Sequence, residues 1–172
     1  MTDPEQRWFT DRLLIEPLTR AHAVELFDGL NDPKLHHFIG GEPLSLAALT
    51  ERFARWERRR SPDGAYLWCN WLIRERATRA AVGTLQATVP AAGPAAGAAE
   101  FAWVIIGRAQ GNGYAAEAAI SLVERYHVAG WTTIAYIHPD HVASQRVARA
   151  AGLRPTPIQL DGEVRWQRNP PD

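Results

Sequence analysis

One stretch of this chain gathers residues that could do chemistry: Val104-Ile105-Ile106-Gly107-Arg108-Ala109-Gln110-Gly111-Asn112-Gly113-Tyr114-Ala115-Ala116-Glu117-Ala118. An apolar, strand-like run enters a glycine-bearing loop and then passes directly into an amphipathic helical pattern. The start of such a helix offers backbone N–H groups that lack intrahelical partners, at the positive end of the peptide dipoles. Gly111 and Gly113 remove the Cβ atoms that would hold a ligand away from those groups. The ligand suited to that arrangement is a phosphate or pyrophosphate. The Walker pattern fails, because no Gly-Lys-Ser/Thr follows. The dinucleotide fingerprint also fails, because the third glycine is missing and Ala116 is a poor substitute. An ordinary strand-to-helix turn has the same composition, so the loop alone leaves both readings open.

A second polar group is His138-Pro139-Asp140-His141. Two histidines and an aspartate hint at a metal, but the sequence supplies no third ligand at a useful spacing, and Asp140 is expected to cap the helix that follows. No metal is expected. Four tryptophans, Trp68, Trp71, Trp103 and Trp166, are candidates to line an aromatic pocket, with core packing as the alternative.

The elements that must position these groups follow from periodicity. Arg12–Leu18 reads as a strand ending near Pro17. Thr19 is placed to cap a helix from Arg20 to about Leu30, with Val24, Phe27 and Leu30 on one face. Asp32-Pro33 starts a short helical turn through His37. Ser45 caps a helix to about Arg60, its inner face Leu49, Phe53 and Trp56, its outer face Arg52, Arg55, Arg58 and Arg59. Tyr66–Arg74 and Val82–Val89 form an antiparallel hairpin around Ala77-Thr78-Arg79. The uncharged run 90–99 is a connector or long hairpin tip. Glu100–Ile106 is a central strand. A helix follows from Ala115 to Ala129, with Ala115, Ala118, Ala119, Leu122, Val123 and Tyr126 in one stripe, and Gly130 ends it. Thr132–Ile137 is a strand, Val142–Ala151 a helix, and Ile158–Arg168 one or two short strands. The order specifies an α+β to mixed α/β domain.

Length and composition fit this. The chain has 172 residues, room for one domain with its own core, and residues 1–11 read as an N-terminal tail. At 46% hydrophobic and 22% charged, the composition excludes intrinsic disorder. Nineteen basic and nineteen acidic residues cancel, which argues against a dedicated nucleic-acid binder. The single cysteine, Cys69, cannot pair within the chain, so a reducing compartment is expected. The polar N-terminus has no signal-peptide pattern, and no apolar run approaches a membrane span. A cytoplasmic protein is expected.

Three blocks together resemble the GNAT superfamily of acyl-CoA-dependent N-acetyltransferases. Gln110-x-x-Gly113-x-Ala115 is similar to its Gln/Arg-x-x-Gly-x-Gly/Ala signature. The longer string GNGYAAEA resembles the ribosomal-protein-alanine acetyltransferase-like branch. So does the run from His138 to Leu153, which looks like an Asn-x-x-Ser-x-x-(apolar) block ending in Gly-(apolar). RLLIEPLTRAHA resembles the entry strand, and Gly83-Thr84 fits the third. The likeness covers about residues 12–168. One position departs: His141 stands where the block begins with Asn.

The resemblance implies a central, mostly antiparallel twisted sheet flanked by helices, with splayed central strands holding acyl-CoA. It implies that Gln110, Gly111, Asn112, Gly113, Tyr114 and Ala115 receive the pyrophosphate. The pantetheine arm then lies along Trp103, Val104, Ile105 and Ile106, with His141 and Ser144 beside it. The thioester falls near Ala102, with a backbone N–H near Val104 as oxyanion donor. Attack on a thioester needs a neutral amine, a stabilised oxyanion and a protonated leaving thiolate. Glu100 is the candidate base, directly or through water, and Glu163 is the second candidate. Ser144 is placed to protonate or orient the thiolate. The implied activity is acetyl transfer from acetyl-CoA, as co-substrate, to a primary amine by a monomer or homodimer. The alternative is a weak or inactive CoA-binding regulatory module. The Arg52–Arg60 face is the one feature pointing to a macromolecular, tRNA- or ribosome-borne substrate.

Overall fold

The computed structural model describes residues 3–171. Its strands are β1 (Trp8–Phe9), β2 (Leu13–Pro17), β3 (Tyr66–Glu75), β4 (Ala81–Pro90), β5 (Ala99–Ile105), β6 (Thr133–Ile137), β7 (Arg154–Leu160) and β8 (Glu163–Arg168). They form an eight-stranded sheet in the order β1-β2-β3-β4-β5-β6-β8-β7. Neighbours are antiparallel except β5 and β6, which run parallel. That pair is registered only at Ala99–Thr133 and Glu100–Ile134, so the strands part beyond Glu100.

The helices are α1 (Ala23–Leu30), α2 (Pro33–Ile39), α3 (Leu46–Trp56), α4 (Tyr114–Val128) and α5 (Val142–Ala150). Cross-strand pairs show which face each covers. Trp8 pairs with Ile15, which pairs with Ile73. The Trp8 indole N–H reaches Ser121 of α4 at 3.1 Å, and Phe101 meets Tyr126 of α4 edge-on at 5.0 Å. Glu16 pairs with Leu72 on the other face, and through Arg74 it is tied to Glu25 of α1 at 2.8 and 2.7 Å. The Arg74 guanidinium is mostly buried and joins β2, β3 and α1. The two carboxylates hold its charge in place, which offsets the cost of burying it.

Several expectations need correction. Residues 1–11 are not tail throughout: Trp8–Phe9 adds an edge strand, and Trp8 is buried. The Arg20–Leu30 segment opens as a 3-10 turn, Arg20–His22, with the Thr19 N–H donating to His22 Nδ1 at 3.1 Å. Ala23 and Leu26 face inward with Phe27 and Leu30, which pack against the core, and Val24 is 70% exposed. Arg59 lies beyond α3 at φ 59°, outside the solvated face. Its guanidinium is buried against Glu5 at 2.6 Å. Ser45 caps α3 as expected, accepting from Ala48 N–H at 3.2 Å. No helix among the described residues is long and apolar enough to cross a membrane.

Candidate functional site

Where β5 and β6 part, alternate peptide groups of β5 lose a partner on that side. The alternation can be read from fixed points. Ile106 N–H donates to Val82 of β4 at 3.0 Å, whereas Ala99 N–H donates to Thr132 on the β6 side at 2.8 Å. Even-numbered residues of β5 therefore turn their peptide groups to β4 and odd-numbered ones to the β6 side, where Glu100–Ile134 is the last pair, so the peptide groups of Trp103 and Ile105 open into the gap. The Ile105 carbonyl accepts from Gln110 Nε2 at 2.9 Å, which ties the loop to the open strand edge. The expected oxyanion donor moves accordingly: the N–H of Val104 faces β4, and that of Trp103 faces the gap.

The loop reaches α4 through Gly111 and Gly113, both at φ 79°. That left-handed conformation is cheap only for glycine. The first bond of α4 from this cap is Glu117 N–H to the Gly113 carbonyl, 3.1 Å. The N–H groups of Tyr114, Ala115 and Ala116 are left without an intrahelical acceptor. Glu117 anchors the loop from behind. It accepts from Arg12 Nε at 2.7 Å, Arg12 N–H at 2.8 Å and the Thr10 hydroxyl at 2.5 Å. Arg12 also donates to the Asn112 carbonyl at 2.9 Å and lies 4.9 Å over the Tyr114 ring. The Tyr114 hydroxyl donates to Glu75. These contacts hold the amides in one arrangement before any ligand arrives.

A cleft of about 940 Å³ runs from this loop along the open edge of β5 to the first turns of α5. Of the candidates from sequence, Trp103, Val104, Ile105, Gln110, Gly111, Gly113, Tyr114, Ala115, His141 and Ser144 line it. Two do not. Ile106 is fully buried against α1; a Cβ built on Gly29 would come within 2.6 Å of its Cγ2. Asn112 braces the loop instead, its amide donating to the carbonyls of Ala109 at 3.1 Å and Gln110 at 3.2 Å. Sequence reasoning missed Asp32, Lys34 and Leu35 of the α1–α2 region and Arg146 and Val147 of α5, all on the wall. The Asp32-Pro33 helix start was visible, but nothing local says that it abuts Gly107, where an added Cβ would lie 2.9 Å from Asp32 Oδ2.

Glu100 and Glu163 are outside the cleft: Glu100 sits where β5 and β6 still pair, and Glu163 sits at the β7–β8 turn, past the Ile137–Val164 pair at the other end of β6. Glu100 shares a sheet face with Thr88 and Trp68 by register. Partial desolvation, and then the neighbouring Glu163 charge, raise the Glu100 carboxyl above the ordinary glutamate range. Both effects disfavour the anion. Glu163 acts on Glu100 only as a secondary charge at a distance, after the effect of burial.

His141 caps α5 without a side-chain capping bond, and Asp140, expected to be the cap, is not. The Asp140 carboxylate lies 3.9 Å from His138 Nδ1. Burial, and then His138, lower the His141 pKa, favouring neutral imidazole. The four-tryptophan pocket does not form. Trp71 and Trp166 are buried in the core, the latter under Arg149 at 5.0 Å. Trp103 lines the cleft, and Trp68 lies on the opposite sheet face.

The mixed sheet opens at its one parallel pair, beside a glycine-bounded helix N-terminus, as the family resemblance implies. Residues 12–154 match the acetyltransferase (GNAT) domain, and the chain belongs to that family of acetyl-CoA-dependent acetyltransferases. Solved structures agree on the fold. A GNAT-family acetyltransferase from Bacillus anthracis is 15% identical, with a TM-score of 0.75 over 95% of this chain and 98% of that one. The ribosomal L7/L12 alpha-N-protein acetyltransferase RimL, in complex with coenzyme A, is 17% identical, with a TM-score of 0.77 over 96% and 98%. Spermidine N-acetyltransferase from Vibrio cholerae, with CoA and spermine, is 14% identical, with a TM-score of 0.69 over 92% and 94%. No curated protein matches the sequence.

Proposed function

We propose that this single domain transfers an acetyl group from acetyl-CoA directly to a primary amine, a peptide N-terminus or a small-molecule amine, in a ternary complex in the cytoplasm. The observation that carries this reading is the shared cleft: the α4 amides, the open edge of β5, and His141 and Ser144 of α5 all border one 940 Å³ space. The residues fit the donor. Amides at the α4 N-terminus suit a pyrophosphate. The peptide groups of Trp103 and Ile105 suit an extended amide-bearing arm, and the Trp103 N–H suits the thioester oxygen. Ser144, half-buried on the same wall, is the group assigned to the leaving thiolate. Glu100 takes the proton of the incoming ammonium, directly or through water. Its raised pKa makes it a better base than an ordinary carboxylate.

Direct transfer is tested by varying acetyl-CoA and amine together. Intersecting reciprocal plots are expected. Parallel lines would mean an acetylated enzyme and would contradict direct attack.

A further inference from the structure

Two cations face the cleft without a partner. Lys34, the only lysine in the chain, stands in the first turn of α2, and Arg146 stands in α5 beyond His141. Both are exposed and both line the cleft. Among the described residues neither belongs to an ion pair. They approach from different sides. Lys34 follows Asp32, which lies against Gly107 at the exit of β5, whereas Arg146 comes from the helix packed on α4. The two carboxylates that line the cleft are otherwise placed. Asp32 Oδ1 accepts the Lys34 backbone N–H at 2.9 Å as the cap of α2, and Asp140 faces His138. An entering phosphate meets those two negative charges, and three helix N–H groups carry only partial positive charge against them.

We propose that Lys34 and Arg146 form a two-sided clamp for the phosphates of the donor, supplying from α2 and α5 the full charges that the α4 amides lack. The clamp rests on the acyl-CoA reading above and deepens it. It makes affinity depend on the nucleotide end of the donor, not only on the arm that carries the acyl group. A lysine acts as a point charge and an arginine as a forked donor, so the pair tolerates several phosphate orientations.

The test compares CoA, titrated calorimetrically, with phosphate-free pantetheine followed by ligand-observed NMR. Lys34→Met and Arg146→Met are each expected to weaken CoA about tenfold, the usual scale for one charge-assisted hydrogen bond. Pantetheine binding should be unchanged, and Lys34→Arg and Arg146→Lys should keep most of the CoA affinity. Wild-type CoA affinity in the double Met variant would overturn the clamp, as would equal losses for CoA and pantetheine. A wild-type protein that binds no CoA would overturn the donor assignment instead.

Discussion

Glu100 and Glu163 were separate candidates in the sequence, sixty-odd residues apart, and nothing local paired them. The fold does so by placing β8 beside β6. The pairing has a sign that can be measured. A like charge opposes ionisation of Glu100, so removing it must lower the pKa. Glu100→Gln is expected to cut kcat about a hundredfold with little change in the acetyl-CoA KM. Glu163→Gln should leave a rising limb in the pH profile but move it to lower pH. An unmoved limb would show that the two carboxylates do not act together. At His141 the depressed pKa keeps the imidazole neutral down to below the usual histidine value of 6.5. The pH dependence of CoA affinity is therefore expected below pH 6.5, and His141→Asn should flatten it. Superimposable curves for the two proteins would make His141 a bystander.

At the scale of elements, the glycine loop was legible because its chemistry is local. A strand, two glycines and an amphipathic helix are written consecutively in the chain. Gly113→Val tests it. The backbone there is at φ 79°, which a β-branched residue adopts only with strain, so the loop must rearrange. CoA binding is expected to be lost while the thermal transition remains cooperative. The built Cβ points to Arg12 Nη2 at 3.4 Å, so the effect comes through the loop backbone and its Arg12 brace and not by direct collision with the ligand. The Glu117 anchor was hidden, because its partners Thr10 and Arg12 are about a hundred residues away. In α1, Phe27 and Leu30 pack on the core as expected, together with Ala23 and Leu26 in an i, i+3, i+4, i+7 stripe, and Val24 alone falls outside it. The outward-facing arginines of α3 were legible except Arg59, which a left-handed backbone carries inward.

For the whole molecule, the order of elements was enough to specify a mixed sheet, since each strand and helix has its own pattern. Sheet order and the parting of β5 from β6 were not visible in any local pattern. They depend on which faces pack, and here the splayed central strands came from the family resemblance. The N-terminal segment shows the same limit: Trp8-Phe9 in a polar stretch reads as tail until Trp8 meets α4. Trp8→Ala is expected to cost about 3–5 kcal/mol of stability, the usual range for a buried tryptophan, with CoA affinity retained in the folded protein. Urea denaturation checks the first part and calorimetry the second.

The central claim is acetyl transfer to an amine from a donor held in the opened sheet. It is tested most directly by following thiol release from acetyl-CoA across a panel of primary amines, including peptide N-termini and polyamines, with the acetylated product measured by mass spectrometry. The account predicts amine-dependent thiol release matched by an equal amount of N-acetylated product, lost in Gly113→Val. Tight CoA binding with no amine-dependent release for any of these amines would contradict it, and would make the protein a CoA-binding module without turnover.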